Sequence, residues 1–121
     1  MKHLLSIFLI SILFTNCEVA QEINTIKTVE LKALIEKEKI QLVDVRTPDE
    51  IANGFIKTAM FANYYDANFT QKIIKILDKN KPVYLYCRSG NRSEKSAKIL
   101  QEQGFEVYNV IGGYKMWKTE N

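Results

Sequence analysis

The feature that most constrains this chain is a strand that ends directly in a glycine-containing loop, which in turn enters a helix. Pro82-Val83-Tyr84-Leu85-Tyr86 is short and rich in β-branched and aromatic residues, with proline at its first position, where a missing N–H is tolerated. It runs straight into Cys87-Arg88-Ser89-Gly90-Asn91-Arg92-Ser93. From about Arg92 to Gln103, Ala97, Ile99 and Leu100 suggest a helix, and Gly104 stops it. Such a unit needs neighbouring strands and covering helices to bury its apolar faces. The rest of the chain supplies them. Ile26 begins a short strand, and Thr28 offers a helix cap ahead of Val29, Leu31, Leu34 and Ile35. Gln41 to Val45 reads as a buried strand. Thr47 caps a helix that starts at Pro48, runs to about Asn53 and is stopped by Gly54. Phe55 to Ala62 gives a weak strand signal, and Asn68 to Leu77 places Phe69, Ile73, Ile74 and Leu77 on one helical face. Phe105 to Val110 is a strand, Gly112-Gly113 a turn, and Tyr114 to Lys118 a closing helical turn or two. Alternating strands and helices predict an α/β domain with a mainly parallel central sheet.

The first residues are of a different kind. Met1-Lys2-His3 is short and basic, and Leu4 to Phe14 is apolar apart from Ser6 and Ser11. The chain turns polar after Thr15-Asn16-Cys17. This is the order of a secretory signal, and its apolar part falls short of the ~20 residues that span a bilayer. Two processing routes fit. Leu13-Phe14-Thr15-Asn16-Cys17 resembles a loose bacterial lipobox that would lipidate Cys17, although Asn16 stands where a small residue is usual. Alternatively a peptidase cuts after Ala20, with Glu18 the imperfect position. Lipidation is favoured because it explains a cysteine just past the apolar run; the bland alternative is that Cys17 is incidental. The expected division is a signal over residues 1–16, a linker over 17–24 and one domain over 25–121. The domain is expected outside the cytoplasm, periplasmic or lipid-anchored to a bacterial envelope membrane.

Charge and residue counts exclude several functions. The chain of 121 residues suits one domain, and its net charge of +3 comes without a basic run. A nucleic-acid partner would call for a clustered basic face. The one histidine is His3, inside the signal. Cys-His and Ser-His catalysis and histidine metal sites are therefore not expected, nor is a metal or other cofactor. Cys17 and Cys87 are the two cysteines, and either processing route removes Cys17 as a disulfide partner. Cys87 is left as a lone thiol in an oxidising compartment.

The residues around Cys87 suit a reactive thiol. Ligands of open α/β sheets bind beyond the carboxyl ends of the strands, where Cys87 lies. A loop containing Ser89, Gly90 and Asn91 can curl so that its N–H groups converge on an anion, and a helix N-terminus adds partial positive charge. Arg88 and Arg92 bring two cations near the sulfur, and no acid intervenes before Glu94. These neighbours lower a thiol's pKa and would attract an anionic substrate. Free cysteine is often only a small buried hydrophobe, but that role requires none of these neighbours.

The chain resembles a single-domain rhodanese, nearest to the exported members of phage-shock type. Cys87-Arg88-Ser89-Gly90-Asn91-Arg92-Ser93 is similar to that family's active-site loop. Asp44-Val45-Arg46 with Pro48, Glu50 and Gly54 resembles its earlier signature, and Gly112-Gly113 with Trp117 its C-terminal one. The similarity runs from about Ile26 to Lys118. It implies a five-stranded, mainly parallel sheet flanked by helices. It also implies sulfur transfer through a Cys87 persulfide, from thiosulfate or a similar small anionic donor to a thiol or cyanide, with Arg88 to Ser93 binding substrate and both arginines placing the donor. Two-step covalent transfer of this kind gives ping-pong kinetics. Phe55 replaces the family's usual histidine and Thr58 a glycine, and the family's Asn-Ile-Pro is missing, which leaves the path of that segment open.

Other readings remain beside it. Asp44 and Arg46 read as a structural ion pair, and Tyr114 and Trp117 as core or rim aromatics. Tyr64 and Tyr65 are candidates for the site mouth, a position that nothing in the sequence itself shows. A cysteine phosphatase or arsenate reductase would need its arginine six residues after the cysteine, whereas Arg92 is the fifth and Ser93 the sixth. A non-enzymatic rhodanese-like module, binding a partner or sensing redox state, is the third reading.

Overall fold

The structure, a computed structural model, describes residues 22–121. The expected signal, Cys17 and most of the expected linker lie outside the described residues. Ten elements follow in order: β1 (Asn24–Lys27), α1 (Thr28–Lys37), β2 (Gln41–Asp44), α2 (Pro48–Ala52), β3 (Met60–Phe61), α3 (Phe69–Ile76), β4 (Val83–Tyr86), α4 (Asn91–Glu102), β5 (Val107–Ile111) and α5 (Gly113–Glu120). The five strands form one sheet in the order β1-β5-β4-β2-β3, and every pairing is parallel.

Side chains alternate across this sheet with the period of two that a strand dictates. Val43, Val45, Val83, Leu85 and Val107 face α3 and α4, where they meet Phe69, Ile73, Ala97, Leu100 and Phe105. Leu42, Tyr86 and Val110 face the other way, against Leu31 of α1 and the partly buried Tyr114 and Trp117 of α5. Both faces of the central strands are therefore covered, as a parallel sheet requires. Register brings Asp44 level with Tyr86, and Leu85 level with Asn109. Cys87 follows the last residue of the middle strand, at the carboxyl edge of the sheet.

The structure shifts three sequence expectations. Lys27 rather than Thr28 caps α1, and the Thr28 hydroxyl instead donates to the Glu120 carboxylate at 2.6 Å, tying α1 to α5. β1 begins at Asn24, one residue inside the expected linker. The weak strand signal over Phe55 to Ala62 shrinks to Met60–Phe61. The Ile56 N–H is taken by the Tyr86 hydroxyl at 3.0 Å, and its carbonyl accepts the Ala59 N–H at 2.9 Å, so the segment turns before it can pair. Thr47 caps α2 as expected, accepting the Glu50 N–H, while the Glu50 side chain accepts from the Thr47 N–H.

Candidate active site

Gly90 makes the turn that shapes the site. Its φ of 111° lies in the left-handed region, which glycine alone enters without strain, and it forms the N-cap of α4. The turn brings the Gly90 N–H to 3.1 Å from the Cys87 sulfur. Ser93, in the first turn of α4, places its hydroxyl 3.3 Å from the same atom. A second glycine closes the loop from behind. A Cβ on Gly113 would lie 2.5 Å from the Cys87 carbonyl oxygen, so α5 can start against the loop only without a side chain there. The Tyr114 and Lys115 N–H groups then donate to the carbonyls of Cys87 and Arg88 at 2.8 and 3.0 Å.

Asn109 completes the frame from β5. Its side-chain oxygen accepts from the Ser93 hydroxyl at 2.6 Å, and its amide nitrogen donates to the Gly90 carbonyl at 3.1 Å. It therefore holds two of the residues that donate to the sulfur, Ser93 and Gly90. The sequence reading missed it, although a polar residue amid Val107, Tyr108 and Val110 in an otherwise apolar strand was a usable signal.

These contacts decide the state of the thiol. Cys87 is almost fully buried, and burial pushes its pKa up. Hydrogen bonds from the Ser93 hydroxyl and from the N–H groups of Ser93, Gly90 and Ser89 push it down further, so it lies below the ordinary value. Both arginines were expected to share this work. Arg92 instead forms a fork with the Glu50 carboxylate at 2.7 and 2.8 Å. The Arg92 hydrogen bond, outweighing partial burial, pushes the Glu50 carboxyl down to about 2. The hydrogen bond to Glu50 is the main interaction that holds Arg92 in its charged form, the attraction to the Cys87 sulfur being smaller, and its guanidinium sits 5.5 Å from the Tyr65 ring centre. A second ion pair lies deeper. Arg46 and Asp44 are joined at 2.7 Å, both buried, and Arg46 also donates to the Gly54 carbonyl at 2.8 Å. Tyr114 lies over the Arg46 guanidinium at 4.3 Å.

Of the seven loop residues, Ser89, Gly90 and Ser93 converge on the Cys87 sulfur, the first through its N–H alone. Arg92 does not offer a free fork to a ligand. The exposed Arg88 borders a groove between α2 and α5, and Asn91 is an exposed first residue of α4. The arrangement suits a nucleophilic sulfur that must stay ionised without an imidazole.

The sequence profile of the rhodanese-like domain matches residues 27–120. The chain belongs to the rhodanese-like domain family. It is 36% identical over 97 residues to the thiosulfate sulfurtransferase GlpE of Coxiella burnetii, covering 79% of this chain and 88% of that one. It is 37% identical over 89 residues to a sulfurtransferase of Allochromatium vinosum, covering 69% and 77%. A crystal structure of a rhodanese-like domain protein from Staphylococcus aureus superimposes with a TM-score of 0.71 at 34% identity, over 78% of this chain and 91% of that one. The five-stranded parallel sheet with helices on both faces is thus the rhodanese fold, with relatives named as sulfurtransferases.

Proposed function

We propose that this rhodanese-like domain is a thiosulfate sulfurtransferase that carries sulfur on Cys87. The Cys87 thiolate attacks the outer sulfur of thiosulfate, the S–S bond of the donor breaks, and sulfite leaves with the bonding electron pair. The resulting persulfide anion is a charge that the loop N–H groups are placed to hold. A thiolate acceptor, or cyanide, then attacks the outer sulfur and returns Cys87 as thiolate. The observation that carries this reading is the convergence of the Gly90 N–H and the Ser93 hydroxyl on one buried sulfur. A phosphatase reading has less support, since the Arg92 fork that would grip phosphate is occupied by Glu50.

The test is direct. Incubation with thiosulfate should add one sulfur atom to the intact mass, and cyanide should then release thiocyanate. Cys87→Ser should abolish both signals. A wild-type chain that gains no sulfur and makes no thiocyanate would overturn the sulfurtransferase reading and leave the binding or redox-sensing module and, with less support, the phosphatase. The proposal includes an exported location, with Cys17 lipidated or the chain cut after Ala20, because an apolar run precedes them. Labelling cells with a palmitate analogue separates the two: label on the mature protein means lipidation, and none means the soluble form.

A further inference from the structure

The cations near the loop are distributed differently from the sequence expectation. Arg92 is matched by Glu50, and the buried Arg46 by Asp44. Beside the loop, between α2 and α5, lies an open groove of about 370 Å³, within the ~300–1,000 Å³ usual for small-molecule sites. Arg88 borders it from the loop, Lys115 and Lys118 from α5, and Tyr114 and Asn53 also line it. Among the described residues, Arg88, Lys115 and Lys118 have no carboxylate within salt-bridge distance. Since the Glu50 carboxylate is committed to Arg92, the groove keeps three unmatched positive charges.

Lys115 is the informative one. It sits in the first turn of α5, where the positive end of the helix dipole disfavours a cation, and that turn contains no acid. Its backbone N–H is bonded to the Arg88 carbonyl, which keeps the two residues adjacent. A residue that breaks a local rule without a structural return is best sought in function. Lys118 lies one helical turn farther from the loop, so the unmatched charge extends about 5 Å along α5. Thiosulfate is one compact dianion, with no second anionic group to spread along such a row. The other substrate of a ping-pong reaction can carry several.

We infer that this groove is the acceptor's subsite and that it selects thiols carrying carboxylates. The inference rests on the sulfurtransferase reading. The acceptor thiolate attacks the outer sulfur of the Cys87 persulfide, that S–S bond breaks, and the acceptor leaves as a persulfide while Cys87 recovers its electron pair. Arg88, Lys115 and Lys118 hold the carboxylates and take no part in the bond changes.

The test uses the full chain with Cys87 already loaded as persulfide. Loss of the extra sulfur is timed by intact mass after mixing with mercaptosuccinate, a dicarboxylate thiol, or with uncharged 2-mercaptoethanol. The ratio of the two rate constants cancels general damage to Cys87. In the Lys115→Glu/Lys118→Glu variant this ratio should fall about tenfold, and less in Lys115→Gln/Lys118→Gln, both at exposed positions. Added salt should lower the wild-type ratio, since exposed charges are screened over about a Debye length. A ratio unmoved by charge reversal overturns the acceptor groove while leaving sulfur transfer intact. A wild-type chain that never accepts sulfur from thiosulfate overturns the sulfurtransferase reading itself, and this inference with it.

Discussion

Burial alone would keep a thiol protonated, because it penalises the charged form. At Cys87 four hydrogen bonds reverse that outcome, and Ser93 supplies two of them, one from its hydroxyl and one from its N–H. The hydroxyl has a single proton and two acceptors in reach, the sulfur at 3.3 Å and the Asn109 oxygen at 2.6 Å. It can serve the sulfur fully only once the thiolate outcompetes the amide. Ser93→Ala removes this donor and keeps the helix and the N–H groups. Less stabilisation of the thiolate means a higher pKa, so the onset of alkylation by iodoacetamide should move to higher pH. At neutral pH the alkylation rate should fall about threefold to tenfold, in line with the smaller thiolate fraction. An unmoved onset would mean that the backbone donors suffice. The reactive residue was legible because its sequence neighbours carry the loop chemistry. The pairing of Asn109 with Ser93 was not, since it spans 16 residues, even though a polar residue in an apolar strand marked the position. Sequence spacing shows which groups are close along the chain and is silent on which of them are already paired.

Among the elements, α2 and α4 meet through one ion pair. Glu50 closes the cap of α2 through Thr47 and, from the same carboxylate, holds Arg92 in the first turn of α4. Its pKa is pushed down to about 2 from an ordinary 4.5. A depressed carboxylate pKa contributes stability that is fully present above the unfolded value and is lost as pH falls toward the folded one. Glu50 is partly exposed, so solvent screening reduces the contribution to about 1–2 kcal/mol. Glu50→Gln should therefore lower stability by about that amount at pH 7, read as a smaller urea midpoint. The gap from wild type should close between about pH 4.5 and pH 2. A gap that persists at the acid end would assign the loss to the cap instead of the charge. Helical spacing revealed α1, α3 and α4, and apolar runs revealed β2, β4 and β5, since these elements repeat a pattern along their own length. Met60–Phe61 shows no period, and its pairing with β2 depends on the turn that Tyr86 fixes at Ile56. The pairing of Glu50 with Arg92 spans 42 residues and leaves no local trace in the sequence.

For the molecule as a whole, the Asp44–Arg46 pair joins the end of the sheet to the layer of helices that frames the loop. Asp44 ends β2 level with Tyr86, and its carboxylate accepts from the Arg46 backbone and guanidinium. Arg46 then reaches the Gly54 carbonyl after α2 and lies against Tyr114 of α5. One buried cation thus connects β2, the turn after α2, and the helix whose first N–H groups hold the Cys87 loop. Taking two charges out of water is costly, so the pair adds little net stability over an apolar substitute, but breaking it strands a buried carboxylate. Arg46→Met should cost about 3–5 kcal/mol, measured as a shift in urea unfolding at pH 7. The Asp44→Leu/Arg46→Met double variant should recover part of that loss, because it removes the stranded charge and leaves only neutral groups without their partners: the backbone N–H at position 46, the Gly54 carbonyl and the Tyr86 hydroxyl, which also bonds to Asp44. If the double variant is no more stable than the single, the cost of Arg46→Met comes from lost packing on Tyr114 and not from the orphaned charge. The sequence showed this pair as two charges at a strand end. Its role in setting the helix behind Cys87 follows only from the third dimension, where Gly54 and Tyr114 come within its reach.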